Sequence, residues 1–372
     1  MSPRCAIVGA GLGGFVAYAA LRHAGLEPEE IAVFGDADDP AGPWRMRAAA
    51  IRQQRMRSES DGHCYPASFP GLAAREAARR WSAAPLLQSV CDRYRPTVPE
   101  FLRHVDELRE RSGWDRSLRR ARVGRVRAVD GGFELASAGS GGHGSFRHVL
   151  LAPGHPGLAL PPELERDPRV VHAYESHEHA ARVAVVGAGM AAATEWLNAL
   201  AAGSEVVSVR RREPARRPLN VARPLFSKRG LASFRASSRS RRAELLRSFG
   251  APSYPPGRSW DEPVERAARE GRFRVEPSVD GVEQVICATG FRRGYEHDPL
   301  LRALVEEHGL ETEERWIVLS DDSTVPQLTD PARTLALAGV AAQWAYPAAD
   351  TLVGMKFVAR RFAGKVAGCR TR

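Results

Sequence analysis

The chain of 372 residues is 43% hydrophobic and 26% charged, which excludes wholesale disorder, a collagen repeat and a coiled coil and leaves room for two buried cores. Its 54 basic and 44 acidic side chains give a formal charge of +10, a balance that can serve nucleic acid or an anionic membrane. Every basic residue except Lys228, Lys356 and Lys365 is an arginine in an Ala-, Gly- and Pro-rich chain, so coding bias accounts for much of the charge; phosphorylated small molecules are the expected partners, and neither nucleic acid nor membrane is.

Cys-Ala-Ile-Val at 5–8 predicts a short buried strand, 11–23 a helix and Ile-Ala-Val-Phe at 31–34 a second strand, together a strand–helix–strand unit of about 30 residues. Arg4 and the uncharged run 5–21 have the outline of a secretory signal, but Gly9, Gly11, Gly13 and Gly14 suit a tight turn rather than an export helix. Residues 35–70, rich in Pro, Gly and Arg and with little periodicity, predict a long contact-bearing loop. Helices are expected over 73–94 and 99–111, and strands over 123–129, 133–136 and 146–151, with turns at Gly131-Gly132 and across 139–144. The pattern then recurs, with a strand at 182–186, a helix at 190–202 and a strand at 205–209. The Arg-, Ser- and Pro-dense stretch 211–258 holds a helical segment at 239–248; buried strands are expected at 282–287 and 334–338, and a helix over 354–366 closes the chain.

Five cysteines, Cys5, Cys64, Cys91, Cys287 and Cys369, include no CxxC pair, which argues against a thiolate zinc site or a dithiol couple and for a reducing compartment. No other run approaches the ~18 apolar residues that span a bilayer. A soluble, cytoplasmic protein is expected; the sequence does not set its oligomeric state.

Two segments carry chemistry. Gly9-Ala10-Gly11-Leu12-Gly13-Gly14 is a GxGxxG between a strand and a helix. There Gly9 permits the turn, Gly11 admits a pyrophosphate to the backbone, Gly14 lets helix and strand pack, and the helix N-terminus faces the anion. The acid that normally follows the second strand and holds ribose hydroxyls is replaced by Gly35, with Asp36 one place later. Either Asp36 reaches the ribose from a shifted turn, or water and backbone replace it; Asp38 and Asp39 read as solvated loop charges. The second copy, Gly187-Ala188-Gly189-Met190-Ala191-Ala192, is a GxGxxA whose second strand ends in Arg210-Arg211-Arg212. Cations there suit a 2′-phosphate, hence NADPH over NADH, with Arg216, Arg217 and Arg223 able to share the role; the alternative is a solvated run reflecting codon bias. Two dinucleotide sites imply two dinucleotides, and the partner of one nicotinamide is most simply a flavin, FAD.

The chain resembles the two-dinucleotide-binding-domain flavoproteins, nearest the flavin-containing and N-hydroxylating (lysine/ornithine-type) monooxygenases. Ala41-Gly42-Pro43-Trp44-Arg45 resembles that family's GGxW segment beside the flavin. Ala152-Pro153-Gly154 and Ala288-Thr289-Gly290-Phe291 resemble its two ATG-type turns at the crossings between FAD and NADP domains. Gly339-Val340 and Tyr346-Pro347-Ala348-Ala349 resemble the stretch where the last helix points its N-terminus at the isoalloxazine. Arg57, Ser58, Asp61 and His63, in the loop after Trp44, are candidates to line the flavin or substrate pocket, against the alternative of a self-bonded surface loop. The fingerprint FxGxxxH is only partly present: His172 and Tyr174 stand at its end, but Arg166 and Pro168 replace its Phe and Gly, which favours N- or S-oxidation over a Baeyer–Villiger reaction.

The resemblance implies an α/β fold with two Rossmann-like domains, an FAD domain over 1–158 and 290–372 and an NADP domain inserted at 159–289. It also implies an FAD- and NADPH-dependent monooxygenase that uses O₂ through a flavin C4a-hydroperoxide on a small nitrogen- or sulfur-containing substrate. An NADPH-dependent reductase serving a protein or quinone acceptor is the alternative, and an FAD-retaining sensor or scaffold a third. The chain need supply no nucleophile, and no residue is assigned a catalytic role. His172, His177, Glu178 and His179 raise the question of a metal; His177 and His179 lack a companion pair at a familiar spacing, so none is expected and the segment reads as a solvated interdomain linker. Cys287 is expected in the core.

Overall fold

The computed structural model describes residues 3–56, 71–90, 94–139, 141–217, 221–255 and 257–368. In chain order it contains β1 (Cys5–Val8), α1 (Leu12–His23), β2 (Ile31–Phe34), α2 (Gly42–Ala50), α3 (Gly71–Arg80), α4 (Ala84–Val90), α5 (Val98–Ser112), α6 (Trp114–Ser117) and β3 (Leu118–Arg119). There follow β4 (Arg125–Val129), β5 (Gly132–Ala136), β6 (Gly142–Phe146), β7 (His148–Leu151), β8 (Val170–His172), β9 (Arg182–Val186), α7 (Met190–Ala201) and β10 (Glu205–Val209). The remainder comprises β11 (Ala215–Arg216), α8 (Lys228–Ala236), α9 (Arg239–Ser248), β12 (Ser253–Tyr254), α10 (Arg258–Arg269), β13 (Phe273–Glu276), β14 (Gln284–Cys287), α11 (Pro299–His308), β15 (Thr312–Glu313), β16 (Trp316–Ile317), β17 (Thr334–Leu337) and α12 (Leu352–Gly368).

Two five-stranded parallel sheets organise these elements. The first has the order β17-β7-β1-β2-β3 and joins strands from both ends of the chain, with Cys5 paired to Ile31 on one side and to His148 on the other, and Thr334 paired to His148. The second, β13-β10-β9-β14-β8, is built wholly from 170–287. Strands β1, β2, β7 and β17 are buried at every residue, as expected of parallel strands covered on both faces, whose sequences read as continuous apolar runs rather than alternations. The helix α1 packs on α12 and α5, and Trp114 stands edge-on to both Phe15 and Tyr18 of α1. On the second sheet, Trp196 of α7 meets Phe273 and Tyr254 edge-on. Helices α8 and α9 turn Leu231, Phe234, Ala243 and Leu246 into the first core, not the second. Among the described residues no helix is long and apolar enough to cross a membrane.

Several expected elements differ from those observed. The 35–70 loop contains α2, which starts where Asp39 accepts from the Ala41 N–H and ion-pairs with Arg45, with Pro43 in the first turn, where proline is favoured. The single helix expected at 73–94 is two, broken at Trp81, which adopts φ +49°. The strand expected at 146–151 is two strands in different sheets: Phe146 ends the antiparallel β4-β5-β6 unit, and β7 begins at His148. The turn expected across 139–144 is correspondingly shorter, because β6 begins at Gly142. Helices α8, α10 and α11 were not expected; α10 carries Pro263 inside it, and Trp260, Val264 and Ala267 on its apolar face join the second core.

His148 is buried in β7, and neither ring nitrogen has a partner among the described residues. Burial, reinforced by Arg147 and Arg4, pushes its pKa down to about 4 from 6.5. The unfolded chain therefore binds the proton first, so stability is complete above about pH 6.5 and falls as pH drops toward 4, by up to about 3 kcal/mol from this residue. Urea titrations at pH 7.5 and 4.5 should show His148→Leu losing less stability between the two pH values than the wild type.

Candidate functional site

The two glycine turns are built alike. In the first, the Gly9 N–H donates to Phe34 O at 2.8 Å and the Ala152 N–H to Val8 O at 2.7 Å. Gly9 has φ +117°, and a Cβ there would lie 2.1 Å from the Ala152 carbonyl oxygen. In the second, the Gly187 N–H donates to Val209 O at 2.9 Å and the Ala288 N–H to Val186 O at 2.8 Å; Gly187 has φ +130°, and its Cβ would lie 2.6 Å from Ala288 O. Each turn thus abuts the first residue of an Ala-Pro-Gly or Ala-Thr-Gly segment, and only glycine fits both the dihedral and the gap. Gly14 packs so closely that a Cβ would fall 1.9 Å from Gly9 O, while Ala192, in the corresponding place of the second turn, is a real and fully buried Cβ. Gly11 and Gly189 differ from all of these: nothing lies within 4 Å of where a Cβ would be. Both therefore face open space at the N-terminus of a helix, α1 and α7 respectively, the arrangement that binds an anion.

Gly154 and Gly290 adopt nearly the same left-handed conformation, φ +78° and +79°. Just beyond them the two chain crossings run antiparallel, Leu158 bridging to Phe291, with Ala159 N–H donating to Gly290 O and Arg292 N–H to Gly157 O, each at 3.0 Å. The Thr289 hydroxyl donates to the Ala159 carbonyl. Three rings stack here: His155 on Phe291 at 4.1 Å and Tyr174 on Phe291 at 5.0 Å, each pair inclined by 12°, with the Arg47 guanidinium 4.8 Å from the Phe291 centroid. His172 accepts from Tyr174 N–H at Nδ1, so its Nε2 carries the proton donated to Gly290 O at 3.1 Å. Burial pushes His155 down to about 4, so its ring is neutral at pH 7. Arg47 and His155 were not singled out from the sequence; the available signal was that each lies within three residues of a marked motif.

The displaced acid has a steric cause. A Cβ at Gly35 would stand 2.6 Å from the Ala10 Cβ and 2.8 Å from Ala10 N, so no side chain fits the usual acid position beside this GxG. Asp36 is exposed. Asp38 and Asp39 are not simply solvated: Asp38 forms a two-pronged pair with Arg120 at 2.7 and 2.8 Å, and Asp39 organises α2. Trp44 packs edge-on against Phe101 of α5, and Arg45 ion-pairs with Asp39 and Asp106, so both tie α2 to its surroundings; Gly42 is the first residue of α2. Ser58 and His63, with Arg57 and Asp61, lie outside the described residues.

At the second turn, Arg210 ion-pairs with Glu213 at 2.8 Å and rests 5.7 Å from the Trp196 ring. Arg211 is 91% exposed and reaches Glu163 at 3.2 Å, and Arg212 is exposed. Arg216 is held by Tyr254 and Asp261, Arg217 is half-buried, and the Arg223 side chain lies outside the described residues. Pro347 and Ala348 are buried just before α12, where the Thr351 hydroxyl donates to Ala348 O at 2.7 Å and accepts from Gly354 N–H at 3.2 Å. A cleft lies beside Gly154, lined also by Tyr295, Arg315, Val340 and Gln343.

One expectation is overturned. His177 and His179 do not lie in a solvated linker: their side chains are 3% and 2% exposed and both meet Glu195 of α7, which is fully buried. Burial alone would raise the Glu195 pKa, but the two imidazoles hold it below the usual carboxylate range. Cys5 and Cys287 are core thiols, pushed by burial up to about 12 and about 11; Cys64, Cys91 and Cys369 lie outside the described residues.

Two nucleotide-type turns on two parallel sheets, joined by a double crossing, define a two-dinucleotide-binding-domain fold. No protein-family model and no curated protein matches the chain. Among solved structures it is similar to an ornithine hydroxylase from Pseudomonas aeruginosa, with a TM-score of 0.72 and 17% identity over 99% of each chain. It is likewise similar to an ornithine N-hydroxylase of Kutzneria sp. 744 with reduced FAD, NADP⁺ and L-ornithine, at 0.74 and 14% identity over 100% of both chains. A bacillithiol disulfide reductase from Bacillus cereus follows at 0.61 and 14%, over 99% of this chain and 100% of that one. At such identities the likeness establishes the fold.

The packing separates structural from ligand-facing glycines. Gly9→Ala should cost at least about 2 kcal/mol, from a strained φ plus overpacking, whereas Gly11→Ala should stay within about 1 kcal/mol of the wild type. Denaturant unfolding of the ligand-free proteins measures both.

Proposed function

We propose that the protein is an FAD- and NADPH-dependent monooxygenase that oxygenates a small nitrogen or sulfur nucleophile. The observation that carries this reading is the pair of open glycines, Gly11 and Gly189, each at the start of a buried helix and each beside a crossing turn. FAD would lie at the first turn, its pyrophosphate against Gly11 and the α1 N-terminus and its ribose toward Asp36. NADPH would lie at the second, with Gly189 on its pyrophosphate and Arg210, Arg211 and Arg212 toward the 2′-phosphate. Flavin, when bound, supplies hydride acceptance from NADPH and activation of O₂. The chain's own part is to hold both nucleotides, to orient the substrate and to keep water out, the stacked His155, Phe291 and Tyr174 forming a dry wall at the crossing. In this reading residues 1–158 and 290–372 form the FAD domain and 159–289 the NADP insertion, supported by the strand membership of the two sheets, with α8 and α9 of the insertion packed on the first core.

A second reading has one observation in its favour: a disulfide reductase shares the fold. Under it the protein passes electrons from NADPH to an acceptor without inserting oxygen; the described cysteines, both buried with raised pKa values, supply no thiolate for such a relay. Anaerobic reduction with NADPH followed by ¹⁸O₂ and a panel of amines and thioethers separates the two. Label in an N- or S-oxide product supports the monooxygenase. Peroxide alone with every substrate, together with rapid reduction of a quinone or disulfide, overturns it.

Gly11→Ala should fold but lose most of its bound flavin, read as the ratio of flavin to protein absorbance after gel filtration. The double variant Arg210→Ala/Arg211→Ala should lose about 1–3 kcal/mol of NADPH preference, the usual contribution of hydrogen bonds to a charged group, as measured by the NADPH/NADH ratio of kcat/KM for flavin reduction.

A further inference from the structure

Three donor atoms converge at one point that the proposed chemistry does not use. His177 Nε2 lies 3.1 Å and His179 Nε2 3.0 Å from the same carboxylate oxygen, Oε2 of Glu195, and all three ligand atoms fall within 4.8 Å of one another. The histidines come from the segment between β8 and β9, and Glu195 from the second turn of α7.

The tautomer of His177 makes this cluster incomplete. Its Nδ1 lies 2.8 Å from the Glu175 carbonyl oxygen, which can only accept, so Nδ1 carries the hydrogen. A neutral ring then turns the Nε2 lone pair toward a carboxylate oxygen, acceptor against acceptor, within a buried cluster. The contact requires positive charge, supplied either by a second ring proton or by a bound cation; the convergence of three ligand atoms, His179 Nε2 among them, favours the cation. A hydrogen bond from the second ring nitrogen to a backbone carbonyl is also how proteins orient a metal-binding imidazole.

We infer that His177, His179 and Glu195 form a binding site for a divalent transition-metal ion of the zinc class. Two imidazoles and one carboxylate, without thiolate, suit Zn²⁺ or Co²⁺ and are too rich in nitrogen for Ca²⁺ or Mg²⁺. The fourth position falls to Glu195 Oε1 or to a water. With Glu195 fully buried and both imidazoles nearly so, the ion has a structural role. It joins the β8–β9 connection to the helix that follows the second glycine turn. Asn198 extends the link, its amide donating to Glu195 Oε1 at 3.4 Å and to the Ile51 carbonyl at the end of α2 at 3.1 Å. The site stands independently of the nucleotide assignments.

Tag-free full-length protein, dialysed against a chelator and titrated with CoCl₂, tests the inference. Uptake of one equivalent with the intense visible absorption of a four-coordinate ion, abolished by ZnCl₂, is the expected result. His179→Gln and Glu195→Gln should lose that uptake, and Asn198→Ala, which leaves all three ligands, should weaken it about 10- to 100-fold. Circular dichroism of each variant shows whether it is folded. If folded wild-type protein takes up less than about a tenth of an equivalent, or if Glu195→Gln binds Co²⁺ undiminished, the site is a protonated histidine–carboxylate cluster or the ion lies elsewhere, and the inference is overturned.

Discussion

The contact between the first glycine of each turn and an alanine carbonyl on a neighbouring strand underlies the rest of the molecule. Gly9 against Ala152 and Gly187 against Ala288 leave no space for a side chain, so each helix must begin where the adjacent parallel strand ends. That places the N-termini of α1 and α7 beside Gly154 and Gly290, where the chain leaves one sheet for the other. Anion-binding helix ends and interdomain crossings thus come together through one packing constraint used twice, and backbone dipoles at two buried helices face the two places where the chain is open.

The same constraint accounts for the unusual residue at 35. With Ala10 wedged between Gly9 and Gly11, the end of β2 approaches so closely that only glycine is accommodated. The carboxylate moves one position on, into an exposed turn. Asp38 and Asp39, which compete with it in the sequence, are engaged by Arg120 and Arg45. Other arginines have structural employment of this kind: Arg125 binds Glu307, Arg239 binds Glu311, and Arg169 binds Asp167 and two carbonyls.

Both strand–helix–strand units were legible because their signals are local: a short apolar run, a glycine turn and a second apolar run within one unit. The strands at 5–8, 31–34 and 205–209 fall where the sequence places them. Elements whose stability comes from partners distant in the chain were not. Helix α2 is tied to α5 by Trp44 meeting Phe101 and Arg45 meeting Asp106, α10 tolerates Pro263 because its apolar face is covered, and β6 and β7 look continuous although they belong to different sheets.

By itself the sequence determined the fold class, the two nucleotide-type turns and their order, because a tight turn with an open backbone needs glycine at given spacings whatever surrounds it. Tertiary structure alone decided which polar groups share a site. His177 and His179 have no companion ligand nearby in sequence, and Glu195 becomes one only when α7 docks across the second sheet. Arg47, His155 and Tyr174 likewise meet at Phe291 from three separate segments. Backbone geometry is encoded locally; the convergence of side chains on a point depends on how distant elements pack, and no spacing along the chain records it.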